Sequence, residues 1–174
     1  MGLKMPDTFV KIATVTVGSG GASSISFSSI PQTYTDLCLR LSLKTTNSDV
    51  DTKLEFNGVT TGYNRTTLIG NCVNFTGGGY AADAWIGPIS MNLVLTANTF
   101  GSIDIYIPNY TSTTSKSYST DGVSEANSDY AYLWCNAQLS TITSPISSFS
   151  ITGLSTALSL AQYSTATLYG ISKS

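Results

Sequence analysis

Leu37-Cys38-Leu39-Arg40-Leu41-Ser42-Leu43-Lys44 sets leucine at every second position with small or polar residues between. Successive side chains of a β-strand point to opposite faces, so this alternation predicts a strand with one buried and one wet face. The same period recurs on both sides of it. Ile25 and Phe27 alternate with Ser24, Ser26 and Ser28. Ile103, Ile105 and Ile107 alternate with Ser102, Asp104 and Tyr106, and Ile89, Met91, Leu93 and Leu95 form a further set. Weaker patterning predicts strands over 9–17, 53–56, 63–69, 115–119, 130–137, 149–152 and 165–171.

Turn residues separate these runs: Gly18-Ser19-Gly20-Gly21, Ile30-Pro31, Asn57-Gly58, Gly77-Gly78-Gly79, Pro108-Asn109, Asp121-Gly122 and Ser144-Pro145. Asn57-Gly58, between Phe56 and Val59, predicts a hairpin, because both residues tolerate the positive φ of a type I′ turn. Residues 77–84 and 110–129 read as the longest loops. Short strands joined by turn-rich links, with no βαβ spacing, predict an all-β fold: an antiparallel β-sandwich, jelly-roll-like, with roughly ten strands and minimal helix. No composition shift divides the chain, so residues 1–8 are expected to form an N-terminal arm and 9–174 a single sandwich domain.

Composition agrees with strands. Charged residues are only 10% of the 174, while 26 Ser and 25 Thr supply most of the polarity. Thr, Val and Ile lose χ1 freedom in a helix, and Ser competes there for backbone hydrogen bonds. No apolar run approaches the roughly 20 residues of a spanning helix, so no membrane partner is expected. Eight basic residues scattered singly and a net charge of −2 offer no stripe to neutralise phosphates, which argues against nucleic acid. The first seven residues lack the apolar core of a signal peptide, and synthesis in the cytoplasm is expected. On that basis the sequons at Asn64, Asn74 and Asn109 read as chance in a chain rich in Thr and Ser. Cys38, Cys72 and Cys135 match neither a zinc pattern nor a disulfide framework and read as buried free thiols.

The chain contains no histidine, which removes the commonest general base and metal ligand. Gly18-Ser19-Gly20-Gly21 lacks both phosphate-loop spacings and reads as a turn. Asp49, Asp51, Glu55, Asp121, Glu125 and Asp129 could in principle supply the carboxylate pair of a glycoside hydrolase. Asp49 and Asp51, and likewise Asp121, Glu125 and Asp129, read as solvated loop residues, with calcium at Asp49 and Asp51 an open alternative. No catalytic, cofactor or metal residue is therefore expected.

Aromatic residues are the stronger lead. Ten Tyr and two Trp exceed the needs of a core this size, and Tyr supplies rigid contact area with a polar tip. Tyr130, Tyr132 and Trp134 share one face of a predicted strand, with Ala131, Leu133 and Cys135 on the other. Either face can be the core, and an open aromatic face would suit sugar stacking or a subunit interface. Trp85, Tyr106 and Tyr110 pose the same choice, making these six the candidate interaction residues.

Four phrases carry a likeness: Phe27-Ser-Ser-Ile-Pro-Gln-Thr-Tyr-Thr-Asp-Leu37, Leu54-Glu-Phe-Asn-Gly58, Ile105-Tyr-Ile-Pro-Asn-Tyr-Thr111 and Ala166-Thr-Leu-Tyr-Gly-Ile171. Together they resemble structural virion proteins of tailed bacteriophages, notably phages of cyanobacteria and marine bacteria, over about residues 8–171. The resemblance implies a non-enzymatic β-sandwich serving as a capsid decoration (cement) protein, with a fibre or tail appendage that recognises host glycan as the alternative. It implies no cofactor, capsid or other virion proteins as partners with the arm part of that contact, a homotrimer by analogy, and the virion as location.

Overall fold

The computed structural model describes residues 8–46, 50–71, 73–81, 84–90, 99–125, 131–154 and 159–172. The expected arm lies outside them except for Thr8, as do Cys72, Asp49 and Tyr130. Twelve strands make up the described structure: β1 (Phe9–Thr16), β2 (Ile25–Phe27), β3 (Asp36–Leu43), β4 (Val50–Phe56), β5 (Tyr63–Asn71), β6 (Phe75–Ala81), β7 (Trp85–Ser90), β8 (Gly101–Ile107), β9 (Lys116–Glu125), β10 (Ala131–Ser140), β11 (Phe149–Gly153) and β12 (Thr165–Ile171). They form an eight-stranded sheet, β1-β12-β3-β8-β9-β10-β5-β6, and a four-stranded sheet, β2-β11-β4-β7. Every ladder is antiparallel. The fold is an all-β sandwich, with no helix among the described residues.

The leucines of β3 lie at the middle of the core. Leu37, Leu39, Leu41 and Leu43 are buried beside Ile103, Ile105 and Ile107 of β8 and Ala166 and Leu168 of β12. The small sheet closes this face with Ile25, Phe27, Leu54, Phe56, Phe149 and Ile151, all in the same apolar cluster. Phe27 packs against Phe149 with tilted rings at 5.1 Å, and Phe56 meets Tyr118 of β9 edge-on at 5.1 Å, joining the two layers. Toward β9, β10 and β5 the inner face changes character: Thr67, Thr120, Ser124, Asn136, Gln138 and Ser140 are buried there. Two side chains staple this polar half to β7, Trp134 Nε1 donating to the Ile86 carbonyl at 2.8 Å and Gln138 Nε2 to that of Trp85. Thr120 in turn donates its hydroxyl to Gln138 Oε1 at 2.7 Å.

Asn136, 4% exposed at the middle of that layer, makes no hydrogen bond within the protein through either amide atom. A buried polar group without a partner costs about 1–3 kcal/mol, so an apolar side chain of similar volume removes the penalty. Asn136→Leu is expected to raise the urea midpoint by the equivalent of about 1 kcal/mol with an unchanged m-value.

Four expectations are corrected. Gly77-Gly78-Gly79 is not a loop but the centre of β6, paired with β5. Asp121-Gly122 is not a turn but the middle of β9, which carries the strand through to Glu125. Asp51 belongs to β4 and pairs with Pro88 of β7 instead of lying in a polar loop. Of the set Ile89 to Leu95, Ile89 belongs to β7 and Met91, Leu93 and Leu95 lie outside the described residues.

The hairpin expected at Asn57-Gly58 is corrected as well. Both residues adopt the positive φ expected, 52° and 72°, and Val59 N bonds the Phe56 carbonyl at 2.9 Å. Yet β4 and β5 do not pair, because the turn carries the chain from the small sheet to the large one. The Asn57 side chain explains its position. Its Nδ2 donates to the Pro145 carbonyl at 2.9 Å, while its Oδ1 accepts from the backbone N–H of Ser147 at 2.9 Å and of Ser148 at 3.1 Å. Asn57→Ala strands these groups and strains a left-handed residue, so equilibrium denaturation is expected to show a loss of about 2–3 kcal/mol.

Tyr63 clips the same corner from inside: its hydroxyl accepts from Phe56 N at 2.8 Å and donates to the Val59 carbonyl at 3.0 Å. Burial, ahead of any other cause, pushes this phenol above its usual 10.0, and does the same at Tyr110. A raised phenol pKa means the folded state holds its proton after the unfolded chain has lost it. The resulting stability is complete below pH 10.0 and is lost as pH rises through the folded-state value. The stability advantage of wild type over Tyr63→Phe is therefore expected to shrink above that pH, read as melting temperature against pH.

Candidate interaction surface

The ladders fix which side chains share the outer face of the large sheet. One row across it runs Phe75, Gly70, Leu133, Val123, Ser102, Ser42, Thr165 and Thr16. The next runs Gly77, Leu68, Cys135, Asp121, Asp104, Arg40, Thr167 and Thr14, and a third runs Thr66, Ala137, Ser119, Tyr106, Cys38, Tyr169 and Lys11. Three chemically distinct zones result.

The corner over β5, β6, β9 and β10 is apolar. Phe75 is 82% exposed, Val73 68%, Leu68 63%, Val123 51% and Leu133 46%. The Phe75 ring lies over Gly70, and a cleft of about 230 Å³ opens between Phe75, Val123, Ala131, Tyr132 and Leu133. Scattered single hydrophobes on a surface carry no message, whereas exposed hydrophobes grouped at one corner make it the candidate contact surface.

The middle is charged. Asp104 and Asp121 stand directly opposite each other on β8 and β9, an unfavourable pairing of like charges. Arg40, across from Asp104 on β3, offsets it with an exposed ion pair at 3.4 Å. Cys135 lies beside Asp121, and burial followed by that carboxylate pushes its thiol up. Cys38 is buried although it faces outward, flanked across the ladders by Tyr106 and Tyr169, and burial raises its thiol also. Both are free thiols.

The far end is aromatic. Phe9 and Tyr169 meet edge-on at 6.3 Å, and a cleft of about 240 Å³ lies between them and Arg40. Tyr106, 42% exposed, donates its hydroxyl to Asp36 Oδ2 at 2.7 Å; that bond leads the causes raising its pKa, with burial second. Asp36 Oδ1 also accepts from Asn109 N at 2.7 Å, so the carboxylate pins the turn that follows β8.

Of the six aromatic residues singled out in the sequence, Tyr106 points outward on this surface, and Tyr132 reaches it only where it borders the cleft beside Phe75. Trp85, Tyr110 and Trp134 are buried in the core, Tyr132 is half-buried on the inner face, and Tyr130 lies outside the described residues. Each buried ring has its polar atom or its π-face engaged: Tyr110 donates to the Pro31 carbonyl, Trp134 to that of Ile86, and the Arg65 guanidinium lies 4.2 Å from the Trp85 ring centre. The aromatic face of β10 is thus core, and its partner face, with Leu133 and Leu139, is open. The sequence signal for that surface is the uncharged outward set of β10 joined to Val123 and Leu68. Among the described residues, no group of three or more His, Cys, Asp or Glu could hold a metal ion.

Compared with protein-family models, curated proteins and solved structures, the chain matches none.

Proposed function

We propose that this chain is a non-enzymatic virion structural protein of a tailed bacteriophage, a capsid decoration protein that stabilises the head by binding across its subunits. The observation that supports it is the exposed apolar corner formed by Phe75, Val73, Leu68, Val123 and Leu133 on a rigid antiparallel sheet. Binding that buries such a corner only in the assembled state stabilises the assembly by mass action. Low charge suits dense packing against other proteins, since charged groups are depleted at interface cores. Its partners are capsid or other virion proteins and further copies of itself.

The test is imaging of the particle together with binding of purified protein to particles lacking it. Leu133→Asp, on the outer face, is expected to abolish binding and leave the circular dichroism spectrum unchanged. Location of the chain on the tail alone, or full binding by the variant, overturns the decoration reading.

A second reading, a fibre or tail appendage that recognises host glycan, is favoured by the Phe9, Tyr169 and Arg40 cleft, where rings and a cation could hold a sugar. Retention of host polysaccharide by wild type and its loss in Tyr169→Ala support that reading; no binding at high micromolar concentration ends it.

A further inference from the structure

Among the described residues the sandwich ends in four edge strands, β1 and β6 of the large sheet and β2 and β7 of the small one. An edge presents unpaired N–H and C=O groups and invites another strand, so proteins blunt the edges they do not use with charge, proline, bulges or short length. Three of these edges carry such devices. β1 has the exposed Lys11 and a register shift between Lys11 and Ala13. β2 is three residues long. β7 contains Pro88 and pairs with β4 through two register shifts.

β6 carries none of them. Its sequence, Phe75–Ala81, has no charge and no proline, and it pairs with β5 without interruption from Gly70↔Phe75 to Asn64↔Ala81. Phe75, Thr76, Gly77 and Gly79 are exposed, and no strand lies on its far side among the described residues. Glycines inside a strand weaken it and often mark close approach of another backbone. Gly77-Gly78-Gly79 are three in succession at the strand centre.

We propose that β6 is the self-association edge of this protein, where β6 of a second copy adds antiparallel about a two-fold axis at Gly78 and joins two large sheets into one. A second copy fits because an uncharged strand meets itself without like-charge repulsion. In this register Phe75 stands opposite Ala81 of the other copy and Gly77 opposite Gly79. Phe75 and Leu68 share the outer face, so the apolar corners of the two copies become neighbours on one continuous surface. A two-fold pairing replaces the threefold order that the phage resemblance implies, and it stands independently of any role on a virion.

Sedimentation velocity of the full chain up to about 100 µM tests it. Wild type is expected as a two-copy species. A Cβ at Gly79 meets no atom within 4 Å, so Gly79→Lys fits the fold while placing a cation on the edge. That variant is expected to weaken association by about tenfold or more, with unchanged circular dichroism. Gly18→Lys, at a loop position equally open, is expected to leave the pair intact. If Gly79→Lys disturbs the spectrum, Thr76→Lys takes its place. A monomeric wild type, a threefold species, or a pair indifferent to folded edge-lysine variants overturns the proposal.

Discussion

Alanine at Gly122 is expected to destabilise the protein by about 1–3 kcal/mol, far more than one methyl group on a strand would suggest. The side chain would point into the core, where a Cβ overlaps the indole of Trp134 directly across the ladder on β10. That indole is fully buried and held by its bond to the Ile86 carbonyl, so it has nowhere to move. Trp134→Ala has the larger effect, about 3–5 kcal/mol, because it leaves a cavity and strands a carbonyl between the sheets. Chemical denaturation measures both. The two sites should couple: in a Trp134→Leu background the added methyl at 122 finds room, and the double variant should lose less than the sum of the singles. Additive losses would falsify the view that the ring dictates glycine there.

Lys116→Ala is expected to cost about 3 kcal/mol. This lysine is 1% exposed, and its Nζ donates to the carbonyls of Ser112 at 2.8 Å, Thr114 at 2.6 Å and Ile142 at 3.4 Å. It thereby ties the turn before β9 to the segment after β10. Removing it strands carbonyls and opens a cavity. Lys116→Met keeps the volume and should lose less, about 2 kcal/mol, through the donors alone. Burial pushes the ammonium below its usual 10.5, so the folded state sheds this proton before the unfolded chain does. The charge penalty is complete at neutral pH and relieved as pH rises through the folded-state value toward 10.5. Wild type should therefore gain on Lys116→Met over that window, opposite in sign to the phenol of Tyr63.

The candidate interaction surface was only half legible. The alternation of β10 separates Tyr132 and Trp134 from Leu133 and Cys135, but both sets are apolar enough to be core. Alternation identifies the inward face when the other face is polar, as in β3 and β8, and falls silent when it is not. What decided β10 was Gly122 on the neighbouring strand, which leaves space for an indole, and the β7 carbonyls that receive Trp134 and Gln138. Both are remote in sequence from the residues they orient.

The sequence by itself determined that the chain folds as strands, and where most of them run, because the two-residue period of a pleat and the scarcity of helix formers are local properties. It also determined the local shape of the Asn57-Gly58 turn, since positive φ at both positions depends on those residues alone. Only the tertiary structure decided that this turn links two sheets, that the glycines at 77–79 and 122 lie inside strands, and which face of β10 is open. Each of those outcomes depends on what packs against the backbone. A glycine in a loop and a glycine beneath a tryptophan are the same letter, and the distinction exists only once the opposite strand is in place.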